Sequence, residues 1–142
     1  DREAACRANW VDKTTLLRES DFLVLLLPYS TATHHSIGAA ELALMKSTAH
    51  LINVARGGIV DDAALISALR ERRLRGAGLD VFEGEPKLNP GFLGLDNVVL
   101  TPHIGSSSRA TRMAMAMRAA DNLIAALSGQ RPPDLLNPEA LG

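Results

Sequence analysis

Residues 50–81 read HLINVARGGIVDDAALISALRERRLRGAGLDV, and this stretch decides the fold class. Two short apolar runs, His50-Leu-Ile-Asn-Val54 and Gly76-Ala-Gly-Leu-Asp-Val81, flank a segment with a different period. Within that segment Leu65, Ala68 and Leu69 fall on one helical face. Asp61 or Asp62 stands where an N-cap belongs, and Arg70, Arg72 and Arg73 supply the positive charge that a helix C-terminus favours. Both runs are nearly continuously apolar rather than alternating, the pattern of strands covered on both faces. Strand, helix, strand at this spacing is the unit of a parallel sheet.

The same grammar extends in both directions. Phe22-Leu-Val-Leu-Leu-Leu27 and Asn97-Val-Val-Leu100 read as two further strands. Asp12 caps a short helix through Leu16, Leu17 and Glu19, and residues 39–45 form another. Further on, Met113, Met117, Ala120, Ile124 and Leu127 recur every three or four residues. They mark a helix from about Ser107 to Leu127, with Ser106, Ser107 or Ser108 as its cap and Gly129 as its stop. Methionine at that spacing reads as core. Such a helix spans roughly 30 Å, more than a short sheet needs, and the tail Gln130-Arg-Pro-Pro-Asp-Leu-Leu-Asn-Pro-Glu139 is proline-rich and reads as extended. The expected fold is α/β, a parallel sheet with flanking helices, followed by a long C-terminal helix and an extended tail.

Composition narrows the function classes. The 142 residues fit one ordinary domain or a piece of a larger one. Fifteen basic against sixteen acidic groups leave a net charge of −1, so nothing electrostatic favours nucleic acid or an anionic membrane. The longest apolar run, Phe22 to Leu27, is far too short to cross a bilayer. The single cysteine, Cys6, excludes a disulfide scaffold and a cysteine-based zinc knuckle, and a cytoplasmic location is expected. The start at Asp1, without methionine, leads us to expect that an N-terminal part precedes it.

In an open parallel sheet, ligands bind beyond the carboxyl ends of the strands. Those ends carry Pro28-Tyr-Ser-Thr31, then Ala55-Arg-Gly-Gly58, then Asp80 with Glu83-Gly-Glu-Pro86, and last Thr101-Pro-His-Ile-Gly105. An arginine, several carboxylates and a histidine therefore share one sheet edge. A histidine donates a proton to a carbonyl oxygen near neutrality. A carboxylate on its other ring nitrogen fixes the tautomer and favours the protonated form. An arginine fork holds a substrate carboxylate in bidentate fashion. Together, given a hydride source, these groups suit reduction of a 2-oxo acid. Each alone has a plainer reading: Arg56 and Glu85 as turn residues, His103 as a loop histidine, Asp80 as a cap. His34 and His35 read as surface residues, because adjacent histidines without a Glu-x-x-His pattern make no helical metal pair, and no metal is expected. Gly76-Ala-Gly78 opens a strand instead of following one, so it is no phosphate loop.

Three segments resemble, in order and spacing, the signatures of the D-isomer-specific 2-hydroxyacid dehydrogenases. They are Asn53-Val-Ala-Arg-Gly-Gly-Ile-Val-Asp61, Gly78-Leu-Asp-Val-Phe-Glu-Gly-Glu-Pro86 and Asn97-Val-Val-Leu-Thr-Pro-His-Ile-Gly105. The resemblance covers essentially the whole chain, and residues 106–113, 121–123 and 138–139 look most like the glyoxylate/hydroxypyruvate reductase branch. It implies a partial Rossmann-like dinucleotide-binding domain over residues 1–106. Residues 107–142 would then be a helix and tail that pack on a substrate domain, so that some of the helix's apolar stripe should be exposed in this chain alone. It implies Arg56 as the substrate-carboxylate clamp, Glu85 as the carboxylate partner and His103 as the acid/base. It implies that Leu27, Pro28 and Thr33 lie beside the adenosine half of NAD or NADP. Val54, Ala55 and Arg56, with His103, Ile104, Gly105 and Ser106, would line the cofactor, and Asp80 would contact the nicotinamide carboxamide. The partners implied are a 2-oxo acid or 2-hydroxy acid and a second copy in a homodimer. The family's glycine-rich turn and the residue that selects NAD or NADP have no counterpart in these 142 residues. Two other readings stand beside the enzyme. One is a dinucleotide-binding corepressor of the same family, which keeps the same three residues; the other is an inactive truncated fragment.

Overall fold

The computed structural model describes residues 5–141. The chain divides into two compact units, with the boundary between His103 and Ile104. In the first, elements run α1 (Lys13–Glu19), β1 (Phe22–Leu25), α2 (Ala39–Leu44), β2 (His50–Asn53), α3 (Asp62–Arg70), β3 (Gly76–Leu79), a 3-10 turn (Pro90–Phe92) and β4 (Val98–Leu100). The four strands pair in sequence order, all parallel. Leu25 pairs with Asn53, Asn53 with Leu79 and Leu79 with Leu100, so all four carboxyl ends reach one edge.

Local chemistry starts the helices where the sequence places them. The Asp12 carboxylate accepts from Thr15 N at 3.0 Å and that of Asp61 from Ala64 N at 3.0 Å, each satisfying a donor that a helix N-terminus leaves unpaired. Leu17, Leu42, Leu65 and Leu69 from the helices are buried together with Leu23, Leu25, Leu51, Ala77 and Leu79 from the strands. Each such leucine contributes roughly 1.5–3 kcal/mol on burial.

The expectation of strands covered on both faces is corrected. Phe22, Val24 and Val99 remain 66%, 49% and 69% exposed, and β1 alternates between exposed and buried residues. The cause is that α1, α2 and α3 all add their leucines to one core, on the face that carries Leu23, Leu25 and Leu51. The strands also end earlier than the apolar runs do. Leu26, Leu27, Val54 and Val81 follow the paired residues, because the loops at this edge are themselves apolar.

The second unit is built on α4 (Arg109–Leu127). Ser108 caps it by accepting from Thr111 N at 3.1 Å. At its end Gly129 takes φ +69, Gly129 N donates to Ala126 O, and Gln130 N donates to Ala125 O, the paired bonds that close a helix on a left-handed glycine. No residue of α4 is buried, so the methionine stripe is not core here, and Met113, Met117, Ile124 and Leu127 are all exposed, as expected of a helix that packs on a separate domain. The tail does not run free as an extended segment. Asp134 accepts from Arg118 Nε at 2.6 Å and from Asn122 Nδ2 at 2.7 Å, and its own N–H donates to Asn122 Oδ1 at 2.9 Å. Among the described residues no helix is long and apolar enough to cross a membrane.

One buried carboxyl in the first unit is energetically exposed to pH. Asp62, the first residue of α3, is 6% exposed and accepts from Glu83 N at 3.1 Å. Burial pushes its pKa up to about 6; the Glu83 N–H and the charge of His35 oppose this, while the charges of Glu83 and Asp61 add to it. The folded state therefore holds this proton more tightly than the unfolded state does. The resulting advantage is present in acid and is lost as pH rises through about 6. Asp62→Asn keeps an acceptor for Glu83 N without the ionisation, and should raise stability by about 1–2 kcal/mol at pH 8. Urea unfolding of both proteins at pH 5 and pH 8 checks this: the difference should be small at pH 5 and grow toward pH 8.

Candidate active site

Asn53, the last residue of β2, organises the first wall of the site. It is 2% exposed, and its side chain satisfies backbone at both ends of the following turn. Oδ1 accepts from Ala55 N at 3.1 Å, and Nδ2 donates to Arg56 O at 3.0 Å. The turn presents Arg56 at the surface, where Nη1 donates to Ala55 O at 2.6 Å. Directly after it the chain runs against the loop that follows β3. A Cβ on Gly57 would stand 1.8 Å from Phe82 O and 2.7 Å from Glu83 N, so only glycine permits this approach.

The loop after β3 delivers Glu85. Its Oε1 accepts from Phe82 N at 2.8 Å, while Oε2 lies 2.8 Å from Nδ1 of His103. Burial works to raise the Glu85 pKa, and the nearby charge of Asp80 does too. The bond and charge of His103, with the Phe82 N–H, outweigh both and hold the carboxyl below the usual carboxylate range. His103 itself sits at φ +53, in the left-handed region, with its N–H donating to Thr101 O at 3.0 Å. For a residue with a Cβ this conformation costs roughly 1–2 kcal/mol, and such strain gathers at functional positions. Thr101 is fixed in turn, its N–H on Leu79 O at 2.9 Å and its hydroxyl on Asp80 Oδ1 at 2.6 Å.

A cleft of about 700 Å³ opens at this edge, lined by Leu27, Pro28, Tyr29, Val54, Ala55, Arg56, Glu85 and His103, among others. Of the residues singled out from sequence, the fold brings Leu27, Pro28, Val54, Ala55, Arg56, Glu85 and His103 together here. Asp80 and Thr33 do not line it. Asp80 is buried at the end of β3, and the Thr33 hydroxyl closes its own loop by donating to Pro28 O at 2.9 Å and accepting from Ser30 N at 2.7 Å. Ile104, Gly105 and Ser106 belong to the second unit. His34 is exposed as expected, whereas His35 is half-buried and lies 2.8 Å from Glu83.

Sequence reasoning did not single out Asn53, Thr101, Tyr29 or Phe82 as site residues. Asn53 carried a usable signal, since an amide inside an apolar strand must find partners for its polar atoms. Tyr29 and Phe82 carried none, because wall positions show no period. Chemically, the set offers a fork for an anion and an imidazole whose Nδ1 is held by a carboxylate, leaving Nε2 to exchange a proton.

The family model described as D-isomer specific 2-hydroxyacid dehydrogenase, NAD binding domain, matches residues 1–105. Glyoxylate/hydroxypyruvate reductase B of Enterobacter agglomerans is 50% identical over 142 residues, covering 99% of this chain and 44% of that protein. Glyoxylate reductase of Pyrococcus horikoshii is 56% identical over 139 residues, covering 98% of this chain and 42% of that protein. Among solved structures, an NADPH-dependent glyoxylate/hydroxypyruvate reductase of Sinorhizobium meliloti, in complex with NADP and malonate, superposes with a TM-score of 0.78. It is 40% identical, and the match covers 82% of this chain and 36% of that one. The chain thus spans less than half the length of the curated relatives it matches.

The Gly57 approach makes a stability prediction. Gly57→Ala sets a methyl against backbone that no rotamer can move, so the loops after β2 and β3 must part, at a cost of about 2–3 kcal/mol. At Gly94 an added Cβ meets nothing within 4 Å. Chemical denaturation should show a large loss for Gly57→Ala and a near-neutral effect for Gly94→Ala.

Proposed function

The chain belongs to the D-isomer-specific 2-hydroxyacid dehydrogenase family, and on that premise we propose that the intact protein reduces a small 2-oxo acid, glyoxylate or hydroxypyruvate, with NADH or NADPH. The observation that carries this is the 2.8 Å contact of Glu85 with His103 on the cleft that Arg56 also lines. The cleft suits a nicotinamide dinucleotide: apolar Leu26, Leu27 and Val54 offer a surface for flat rings, beside few polar groups. Leu27, Pro28, Val54 and Ala55 would hold it. When bound, the dinucleotide supplies or accepts the hydride.

The chain's own residues do the rest. Arg56 takes the substrate carboxylate in its planar fork, which orients the neighbouring carbonyl. Glu85 holds Nδ1 of His103, so Nε2 is the atom that passes a proton to the carbonyl oxygen in reduction and takes it back in oxidation. Asn53 and the Gly57 approach keep the arginine turn against the carboxylate loop. As part of the same proposal, the protein acts as a cytoplasmic homodimer. The family resemblance supports the dimer, and the single free Cys6 fits a reducing compartment.

Two outcomes test this in the intact protein. Arg56→Lys loses the bidentate fork, so the Michaelis constant for glyoxylate should rise by roughly tenfold or more. An unchanged constant contradicts the clamp. Glu85, held ionised below the usual carboxylate range, keeps its charge beside the imidazole well into acid. Reduction should therefore keep its rate as pH falls through the ordinary carboxylate range. Glu85→Gln keeps the shape but removes the charge held against Nδ1, and should slow reduction by roughly tenfold or more. An unchanged rate, with hydride or proton transfer limiting it, returns Glu85 to a turn role.

A further inference from the structure

The loop after β1 meets the loop after β3 at His35 and Glu83. There His34, His35 and Glu83 each present a donor atom, and the three atoms lie within 4.8 Å of one another. The two imidazoles stack with centroids 3.9 Å apart and 24° between their planes. His35 Nε2 lies 2.8 Å from Glu83 Oε1.

We propose that His34, His35 and Glu83 form a binding site for a divalent transition-metal ion of the zinc type. Two imidazoles and one carboxylate are the donor set that such ions prefer, whereas magnesium and calcium take oxygen donors. An ion about 2.1 Å from each donor in a tetrahedral array sets them about 3.4 Å apart, so the 2.8 Å His35–Glu83 contact opens by roughly half an ångström and the other pairs close by roughly 1.4 Å at most.

Three features position the donors. Tyr29 Oη lies 3.2 Å from His34 Nδ1 and steadies that ring. His35 is held at φ +48 by its N–H on Gly58 O at 2.7 Å, which turns its side chain out of the line of the loop. The Glu83 backbone is tied to Asp62 at 3.1 Å. Without the ion, His35 Nε2 and Glu83 Oε1 meet in a hydrogen bond, which the ion replaces. Bound there, it cross-links the two loops that carry Tyr29 and Glu85 to the cleft. The site does not depend on the reductase reading, since its test uses neither substrate nor dinucleotide.

The test is a titration of the intact, chelator-treated protein with zinc against a chromophoric zinc indicator at pH 7.5. One equivalent should bind in the micromolar range, and acidification should release it as protons compete for the imidazoles. His34→Ala, on an exposed residue, and Glu83→Gln should each weaken binding by roughly tenfold or more. Cys6→Ser and His103→Ala should leave the affinity unchanged. Cobalt in place of zinc should show a visible absorption band that His34→Ala removes. No uptake of zinc overturns the proposal. So does full affinity in His34→Ala, or loss of binding in His103→Ala, which would put the ion on the Glu85 pair.

Discussion

Parallel pairing in sequence order is the constraint on which the first unit depends. Because Leu25, Asn53, Leu79 and Leu100 pair across the sheet, four separate loops begin at one edge. Residues 29 and 18 apart in the chain, Arg56 to Glu85 and Glu85 to His103, meet only through that register. A slip of one residue would turn the leucines of β1 and β2 out of the core and withdraw the arginine turn from the carboxylate loop. The leucines that bury the helices thus also aim the site.

At the edge itself, hydrogen bonds and close backbone contact take over from packing. Asn53 spends both ends of its amide on the arginine turn, and Gly57 lets that turn touch the backbone of the next loop. Glu85 then spends one carboxylate oxygen on backbone and the other on the imidazole. An ionised carboxylate with both oxygens engaged is held in one rotamer, which is what a group that orients a histidine requires. The left-handed backbone of His103 belongs to the same design, since it is tolerated only while the Thr101 and Asp80 bonds hold that loop.

Apolar surface remains on both units. Phe22, Val24 and Val99 on the sheet, and the methionine stripe of α4, are exposed over areas that water solvates poorly. The polar ties of unit two, Arg118 and Asn122 on Asp134, order the tail beside α4 and leave that stripe uncovered.

Much of this was legible in the chain itself, and for definite reasons. Strand existence and order follow from short apolar runs alternating with capped helical segments, since periodicity and caps are local properties that survive any packing. The caps at Asp12, Asp61 and Ser108 and the stop at Gly129 all formed from atoms within a few residues. The identity of Arg56, Glu85 and His103 as candidates was legible because the apolar runs lead directly into the loops that carry them, even though three of the strands end one or two residues before their runs do. What only tertiary structure decided was everything nonlocal. It chose which sheet face the helices cover, brought Asp62 beneath Glu83, and set Tyr29 in the cleft wall. It bonded Asp80 to Thr101 of the next loop, left Thr33 bonded into its own, and gave His34 and His35 a carboxylate neighbour that no local spacing announces. Partners of that kind depend on how loops cross at a sheet edge, and loop crossing is determined by register and close backbone approach, not by any repeat in the sequence.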